Sequence, residues 1–240
     1  MSKTQRLDKI LSNMGYGSRK EIKLIMKKGL VKVDGKVIND GSQHINPNTN
    51  LVEINGDTLV YKEFIYIMMN KPKGVLSASF DFRAETVVDL LDEKYQLYQP
   101  FPVGRLDKDT EGLLVLTNDG KLTHEVLAPK KHIPKTYYSK VEGVVDEEDI
   151  CKFQQGVELD DGYKTLPAHL NIIKKGEISE ITLTIFEGKF HQVKRMFHAV
   201  NKKVIFLKRI SMGNLKLDES LGLGEYKEMT EAEIKSLKME

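Results

Sequence analysis

The chain reads as a mixture of short strands and a few helices, with a small basic module ahead of a larger, nearly neutral body. Three observations carry that reading. Asp34-Gly35 sits between Leu30-Val31-Lys32-Val33 and Lys36-Val37-Ile38, a two-residue hairpin signal whose turn residues tolerate positive φ. Ile181, Leu183 and Ile185 alternate with Thr182 and Thr184, the period-2 pattern of a strand with one buried face. Residues 1–60 hold ten Lys and Arg against six Asp and Glu, and the other 180 hold 27 against 29, so a net charge of +2 divides into a +4 segment and a −2 body. That asymmetry suggests a polyanion-binding module.

Composition narrows the class. A length of 240 residues fits one to two domains, and 40% hydrophobic residues can build a core beneath a surface supplied by 30% charged ones. No stretch approaches the roughly 18 apolar residues of a membrane span. The opening MSKTQRLDKI lacks the apolar segment of a secretory signal, which predicts a cytoplasmic protein. A single cysteine, Cys151, excludes an internal disulfide and a cysteine-based zinc site, and it is expected to pack beside Ile150 and Phe153.

Along the module, Leu7, Ile10, Leu11 and Met14 fall at helical spacing, and Gly15-Tyr16-Gly17 ends that helix. Ser18-Arg19-Lys20-Glu21 fits a capping box for a second helix, which turns Ile22, Ile25 and Met26 inward and leaves Arg19, Lys20, Lys23, Lys27 and Lys28 outside. Gly29 suits its C-terminus. The hairpin follows, then Leu51-Val52-Glu53-Ile54 before a turn at Asn55-Gly56-Asp57. A boundary is expected between Val60 and Glu63, giving domains over 1–60 and 64–240.

In the body, a strand from Phe64 to Met69 is expected to enter a turn at Asn70-Lys71-Pro72-Lys73-Gly74. Tyr138 to Val144 reads as strand, Asp146 to Gln155 as a capped helix, and Thr230-Glu231-Ala232-Glu233 as the capping box of a final helix. The segment GRLDKDTEGLLVLTNDG places Asp107 in a polar loop that runs into the apolar strand Leu113 to Leu116, with turn chemistry at Asn118-Asp119-Gly120. Spacing alone leaves Asp107 open between a functional carboxylate on a rigid strand and a solvated loop residue. After Gly188, Val193, Met196, Phe197 and Val200 share one helix face, while His191, Lys194, Arg195 and His198 stand at i, i+3, i+4 and i+7 on the other. Such a stripe suits an anionic partner or a carboxylate needing a counter-ion; a plain surface stripe is the alternative. His191 and His198 lack the additional ligands of a metal site.

The segment RLDKILSNMGYGSRKEIKLIMKKGLVKVDGKVI resembles the small RNA-binding domain named after ribosomal protein S-four. That resemblance implies RNA-backbone contacts at Arg6, Lys9, Ser18, Arg19, Lys20, Lys27 and Lys28; an ordinary solvated helix face is the competing reading. Over nearly the whole chain, MMNKPKGVLSA, GRLDKDTEGLLVLTNDG, KTYYSKVEG, EGKFHQVKRMF and LKRISMGNLKLDESLGLGEY, in this order, resemble the motif set of the RsuA-type pseudouridine synthases. The resemblance implies an α+β fold, with a mixed, mostly antiparallel sheet and a cleft across its face, behind the small module. It also implies isomerisation of uridine to pseudouridine in ribosomal RNA, nearest to the enzyme acting on small-subunit 16S RNA, although subgroups acting on large-subunit RNA share these motifs.

The reaction breaks the bond between the ring nitrogen and the sugar, turns the base and rejoins it through carbon, so it needs no metal or organic cofactor. Asp107 takes the family's catalytic carboxylate position, where a nucleophile must attack electrophilic carbon and still leave. Burial would raise its pKa and a neighbouring cation would oppose that. Lys194 holds the counter-ion position, with Arg195 in reserve should the helix be rotated. Tyr137 matches the active-site tyrosine, which can stack on uracil and assist proton removal; by itself it reads as strand packing. Arg105 matches an arginine that fills the space left by an extruded nucleotide, and His191 joins the RNA-contacting set. The expected partner is ribosomal RNA, naked or in a partly assembled small subunit, and the protein is expected to be a monomer away from membranes. A ribosomal-RNA-binding assembly factor without chemistry and a glycosylase releasing free uracil are rival classes.

Overall fold

The computed structural model describes residues 4–47, 49–59 and 61–239. Val60, at the expected boundary, lies outside them. The chain divides into two compact units, Met1–Ile65 with Asp92–Gln99, and Tyr66–Leu91 with Pro100–Glu240.

The first unit contains β1 (Gln5–Arg6), α1 (Leu7–Asn13), α2 (Arg19–Lys27), β2 (Val31–Val33), β3 (Lys36–Val37), β4 (His44–Ile45), β5 (Val52–Ile54) and β6 (Asp57–Thr58), with the short α3 (Glu93–Gln96). Ser18 caps α2 as its sequence predicts: its hydroxyl accepts from the Glu21 amide, and the Glu21 carboxylate accepts from the Ser18 amide at 2.7 Å. Asp34 and Gly35 take φ of +50° and +77°, closing the β2–β3 hairpin. Four strands pair in the order β3-β2-β5-β6. Leu7, Ile10 and Leu11 of α1 and Ile22 and Met26 of α2 bury against Val31, Val33, Val52 and Ile54. At about 1.5–3 kcal/mol per buried aliphatic side chain, this small core holds the two helices in place.

The second unit contains β7 (Tyr66–Lys71), β8 (Phe101–Pro102), β9 (Glu111–Thr117), α4 (Gly120–Leu127), β10 (Lys135–Glu142), α5 (Glu147–Gln155), β11 (His169–Lys174), β12 (Ile178–Ile185), α6 (Gln192–Ala199), β13 (Lys203–Met212), β14 (Leu215–Lys216), β15 (Tyr226–Glu228) and α7 (Glu231–Lys238). Seven strands form the path β11-β12-β10-β13-β9-β7-β15, with β14 on β13 and β8 on β9. All these pairings are antiparallel except β13 with β9. The mixed, mostly antiparallel sheet is thus the one the motif resemblance implies.

Every residue of β9 is buried. Leu113 and Val115 join Leu122 and Val126 of α4 and Leu237 of α7 in one core cluster. Elsewhere Phe153 of α5 meets Phe197 of α6 at 5.0 Å between ring centroids. At Gly112 the parallel strand β13 comes so close that a Cβ would collide with the Arg209 carbonyl oxygen, and φ is +101°. Only glycine suits that position.

Several local expectations change. Asn118-Asp119-Gly120 is a helix start and not a hairpin turn: Asp119 has φ of −87°, and its carboxylate accepts from the Lys121 and Leu122 amides at 3.0 Å each. Leu122 and Val126, one helical turn apart, draw the chain into α4 by burying on the core. The first strand of the body extends through Asn70 and Lys71, and the strand expected at Tyr138–Val144 occupies Lys135–Glu142. Cys151 is exposed. Two positions from the buried Phe153, it lies on the opposite side of α5.

Candidate active site

Asp107 sits on the loop between β8 and β9, and that loop is fastened by its backbone. The Ser77 hydroxyl donates to the Leu106 carbonyl at 2.9 Å and accepts from the Leu106 amide at 3.1 Å. Gly74 donates to the Lys108 carbonyl at 2.8 Å, and Thr110 to the Asp107 carbonyl at 3.0 Å. Lys71, with no exposed surface, points its ammonium at the carbonyls of Pro72 (2.9 Å), Thr110 (3.1 Å) and Asp107 (3.3 Å). Burial pushes its pKa down to about 8, against the pull of Asp109, Asp107 and Glu111. The motif segment around NKPKG reads as a polar turn, so sequence spacing gives no sign that its first lysine is enclosed.

The carboxylate of Asp107 is met from α6. Val193, Met196 and Phe197 bury one face of this helix, which turns Lys194 and Arg195 outward. Lys194 donates to Asp107 at 3.0 Å and to Asp109 at 2.6 Å, while His191 Nε2 lies 3.7 Å from the other Asp107 oxygen. Burial lowers the Lys194 pKa, but the hydrogen bonds to Asp109 and Asp107 outweigh it, and the net direction is upward. Asp109 runs the other way: burial raises its pKa, and the Lys194 hydrogen bond and charge bring it below the usual value. His191 takes a left-handed φ of +48° at the start of α6, a conformation uncommon outside glycine.

Arg195, the reserve counter-ion, is held elsewhere. Its guanidinium pairs with Asp160 and, at 2.7 Å, with Asp161. Tyr137 is a buried residue of β10 that pairs with Leu183 of β12 and Arg209 of β13, and the neighbouring Tyr138 faces the other way to donate to Glu180 at 2.5 Å. Arg105 is exposed on the same loop as Asp107, directly after Gly104, whose φ is +77°. In the first unit Arg6, Lys9, Ser18, Arg19, Lys20, Lys27 and Lys28 are all exposed. Arg6 grips Asp8 through two hydrogen bonds of 3.1 and 2.6 Å, and the Ser18 hydroxyl is taken by its capping box, which leaves the five lysine and arginine positions on and beside α1 and α2 as the open cations of that set.

Chemically, the site is a carboxylate on a backbone held by hydrogen bonds, neutralised by an ammonium that water still reaches. It can attack or deprotonate without first being desolvated from bulk water. Such a carboxylate, at the head of a central strand of a mixed sheet, suits covalent or acid–base chemistry on a substrate.

The particular class follows from comparison with known proteins. Residues 65–199 match the RNA pseudouridylate synthase family and residues 5–51 match the S4 domain. The chain belongs to the RNA pseudouridylate synthase family. It is 53% identical over 230 residues to an uncharacterized RNA pseudouridine synthase, YtzG, of Bacillus subtilis (strain 168), covering 95% of this chain and 96% of that protein. It is 40% identical to the ribosomal small subunit pseudouridine synthase A of Vibrio cholerae, over 97% of this chain and 99% of the relative. Against the ribosomal large subunit pseudouridine synthase B of Bacillus subtilis the identity is 39%, with 98% and 96% covered. A crystal structure of a pseudouridylate synthase superposes with a TM-score of 0.68 at 34% identity, covering 97% of this chain and 99% of that one. Among the described residues no helix is long and apolar enough to cross a membrane.

Proposed function

We propose that this protein isomerises one uridine of small-subunit ribosomal RNA to pseudouridine, with Asp107 as nucleophile. The observation that carries the reading is the Asp107–Lys194 ion pair at 3.0 Å, made between motif segments 87 residues apart. Lys194 offsets the carboxylate's charge so that it can be held at a partly enclosed site. Tyr137 stacks on the detached uracil and assists removal of the proton from the new glycosidic carbon. Arg105 occupies the space of the extruded nucleotide, replacing lost stacking with its planar guanidinium. His191 and Arg195 contact the RNA near the target.

A module over 1–60 supplies backbone affinity through Lys9, Arg19, Lys20, Lys27 and Lys28, the members of the expected set that Asp8 and the capping box leave open, and the domain over 64–240 performs the chemistry. The enzyme works as a cytoplasmic monomer, without cofactor, on naked RNA or a partly assembled small subunit. Pseudouridine maps of ribosomal RNA from cells with and without the protein test the target: one 16S position should lose its modification, and Asp107→Asn should fail to restore it. Restoration by Asp107→Asn would remove Asp107 from its role. The alternative is a large-subunit target, since the identity to a large-subunit enzyme, 39%, all but equals the 40% to a small-subunit one, and a missing 23S pseudouridine in the same maps would establish it.

A further inference from the structure

Two phenylalanines in the second unit stand largely in solvent. Phe80 is 65% and Phe82 92% exposed, and their rings meet edge to face at 4.8 Å between centroids. Apolar rings left this open on a fixed loop mark a surface that something covers. The loop is indeed fixed. At its base Leu76 donates to the Glu85 carbonyl and Val87 to the Leu76 carbonyl, each at 2.9 Å. At its tip Asp81 accepts from the Arg83 and Ala84 amides at 2.8 and 3.0 Å. Ser77 ties it by two hydrogen bonds to Leu106, the residue before Asp107.

Two residues separate Ser77 from Phe80, so three Cα steps place the Phe80 backbone within about 11 Å of Ser77. The loop carries both signs, exposed Asp81 and Glu85 on either side of exposed Arg83, and Arg105 is exposed on the Asp107 loop to which Ser77 is bonded. A third open aromatic, Phe190, is 75% exposed and stacks on His191 at 3.8 Å, next to Asp107. Exposed rings on a loop bonded to the loop of the candidate catalytic carboxylate are placed to take the face of an unpaired base, a contact that stacking alone can supply.

We propose that Phe80 and Phe82 form a stacking platform for an unpaired RNA base flanking the target uridine, and so help choose which uridine reaches Asp107. This rests on the reading of the protein as an RNA-modifying enzyme. The test compares wild type with the Phe80→Ala/Phe82→Ala double variant on unmodified 16S and 23S transcripts. Both rings are exposed, so folding should be unaffected and the melting temperature should hold. The double variant should raise the apparent KM on the order of 5- to 150-fold, the range of one to three kcal/mol for base–aromatic stacking, with kcat within about threefold. Replacing both by Trp should restore KM, whereas Leu should not, because a branched aliphatic chain has no face for a base.

Unchanged KM in the Ala variant overturns the platform. So does equal rescue by Leu, or a defect confined to protein-containing particles, which would assign the patch to a protein partner. Filter binding of the same transcripts, made in an Asp107→Asn background, reads the platform without turnover. If wild type forms no pseudouridine, the functional reading fails, and the binding arm still decides the platform.

Discussion

One ammonium holds two carboxylates, and the shorter bond goes to the one assigned no chemistry. Lys194 lies 2.6 Å from Asp109 and 3.0 Å from Asp107. Distance alone would make Asp109 the more important partner. Exposure argues otherwise: the Asp109 side chain is 69% exposed and the Asp107 side chain 26%. A unit pair at 3.0 Å and an effective dielectric near 20 attracts by roughly 5–6 kcal/mol before desolvation. A hydrogen bond to a charged group retains about 1.5–3 kcal/mol of that. An exposed ion pair retains about 0.2–1 kcal/mol. At about 1.4 kcal/mol per factor of ten, Lys194→Met should lower kcat on the order of 10- to 150-fold, whereas Asp109→Asn should lower it by less than about fivefold. Asp107→Asn should reduce turnover to background. The assay is single-turnover conversion of the target uridine in an unmodified transcript, with filter binding confirming that each variant still holds RNA. An Asp109→Asn defect as deep as that of Lys194→Met would refute the assignment, because it would show the outer carboxylate acting in the chemistry.

Other expectations are independent of that pair. Lys71 is held down at about 8 from 10.5, so between those pH values the unfolded chain binds more protons than the folded one, and this group's contribution to stability rises with pH. Urea midpoints of wild type should therefore gain on those of Lys71→Met between about pH 7.5 and 10, and a constant difference would mean that the ammonium is not desolvated. Gly112→Ala should destabilise the second unit by at least about 2 kcal/mol, from a left-handed φ and a backbone collision, read as a lower urea midpoint; a shift under about 0.5 kcal/mol rejects the close approach. Lys27→Ala with Lys28→Ala should weaken RNA binding and reduce the slope of log affinity against log salt by up to about 1.5, and an unchanged slope would remove both lysines from the interface.

Features set by neighbouring residues are legible in the sequence, and those set by distant ones are not. The capping boxes at Ser18–Glu21 and Thr230–Glu233 and the Asp34-Gly35 hairpin depend on three or four residues, and each forms as its spacing says. The two faces of α6 also follow from spacing, down to the buried Val193, Met196 and Phe197. Spacing could not bring Lys194 to Asp107; that pairing was implied by the resemblance of two separated motifs. Asn118-Asp119-Gly120 misleads because the same residues serve turns and helix caps, and the decision belongs to Leu122 and Val126 meeting the core. The parallel pairing of β13 with β9 and the enclosure of Lys71 arise from segments over 30 residues apart.

That enclosure explains why a single-atom change at Asp107 is a fair test. The loop from Gly104 to Thr110 is held through main-chain atoms: Ser77 on Leu106, Gly74 on Lys108, Lys71 on the carbonyls of Asp107 and Thr110. None of these bonds uses the Asp107 carboxylate. A compact ammonium with three donors suits carbonyls converging from several residues, a task for which a planar guanidinium is the wrong shape. Lys194, by contrast, binds only side-chain oxygens, on a helix anchored by its own apolar face. Backbone position and carboxylate charge are therefore set by separate cations. Asp107→Asn alters the second and leaves the first intact, so lost turnover with retained RNA binding would report chemistry and not a collapsed loop.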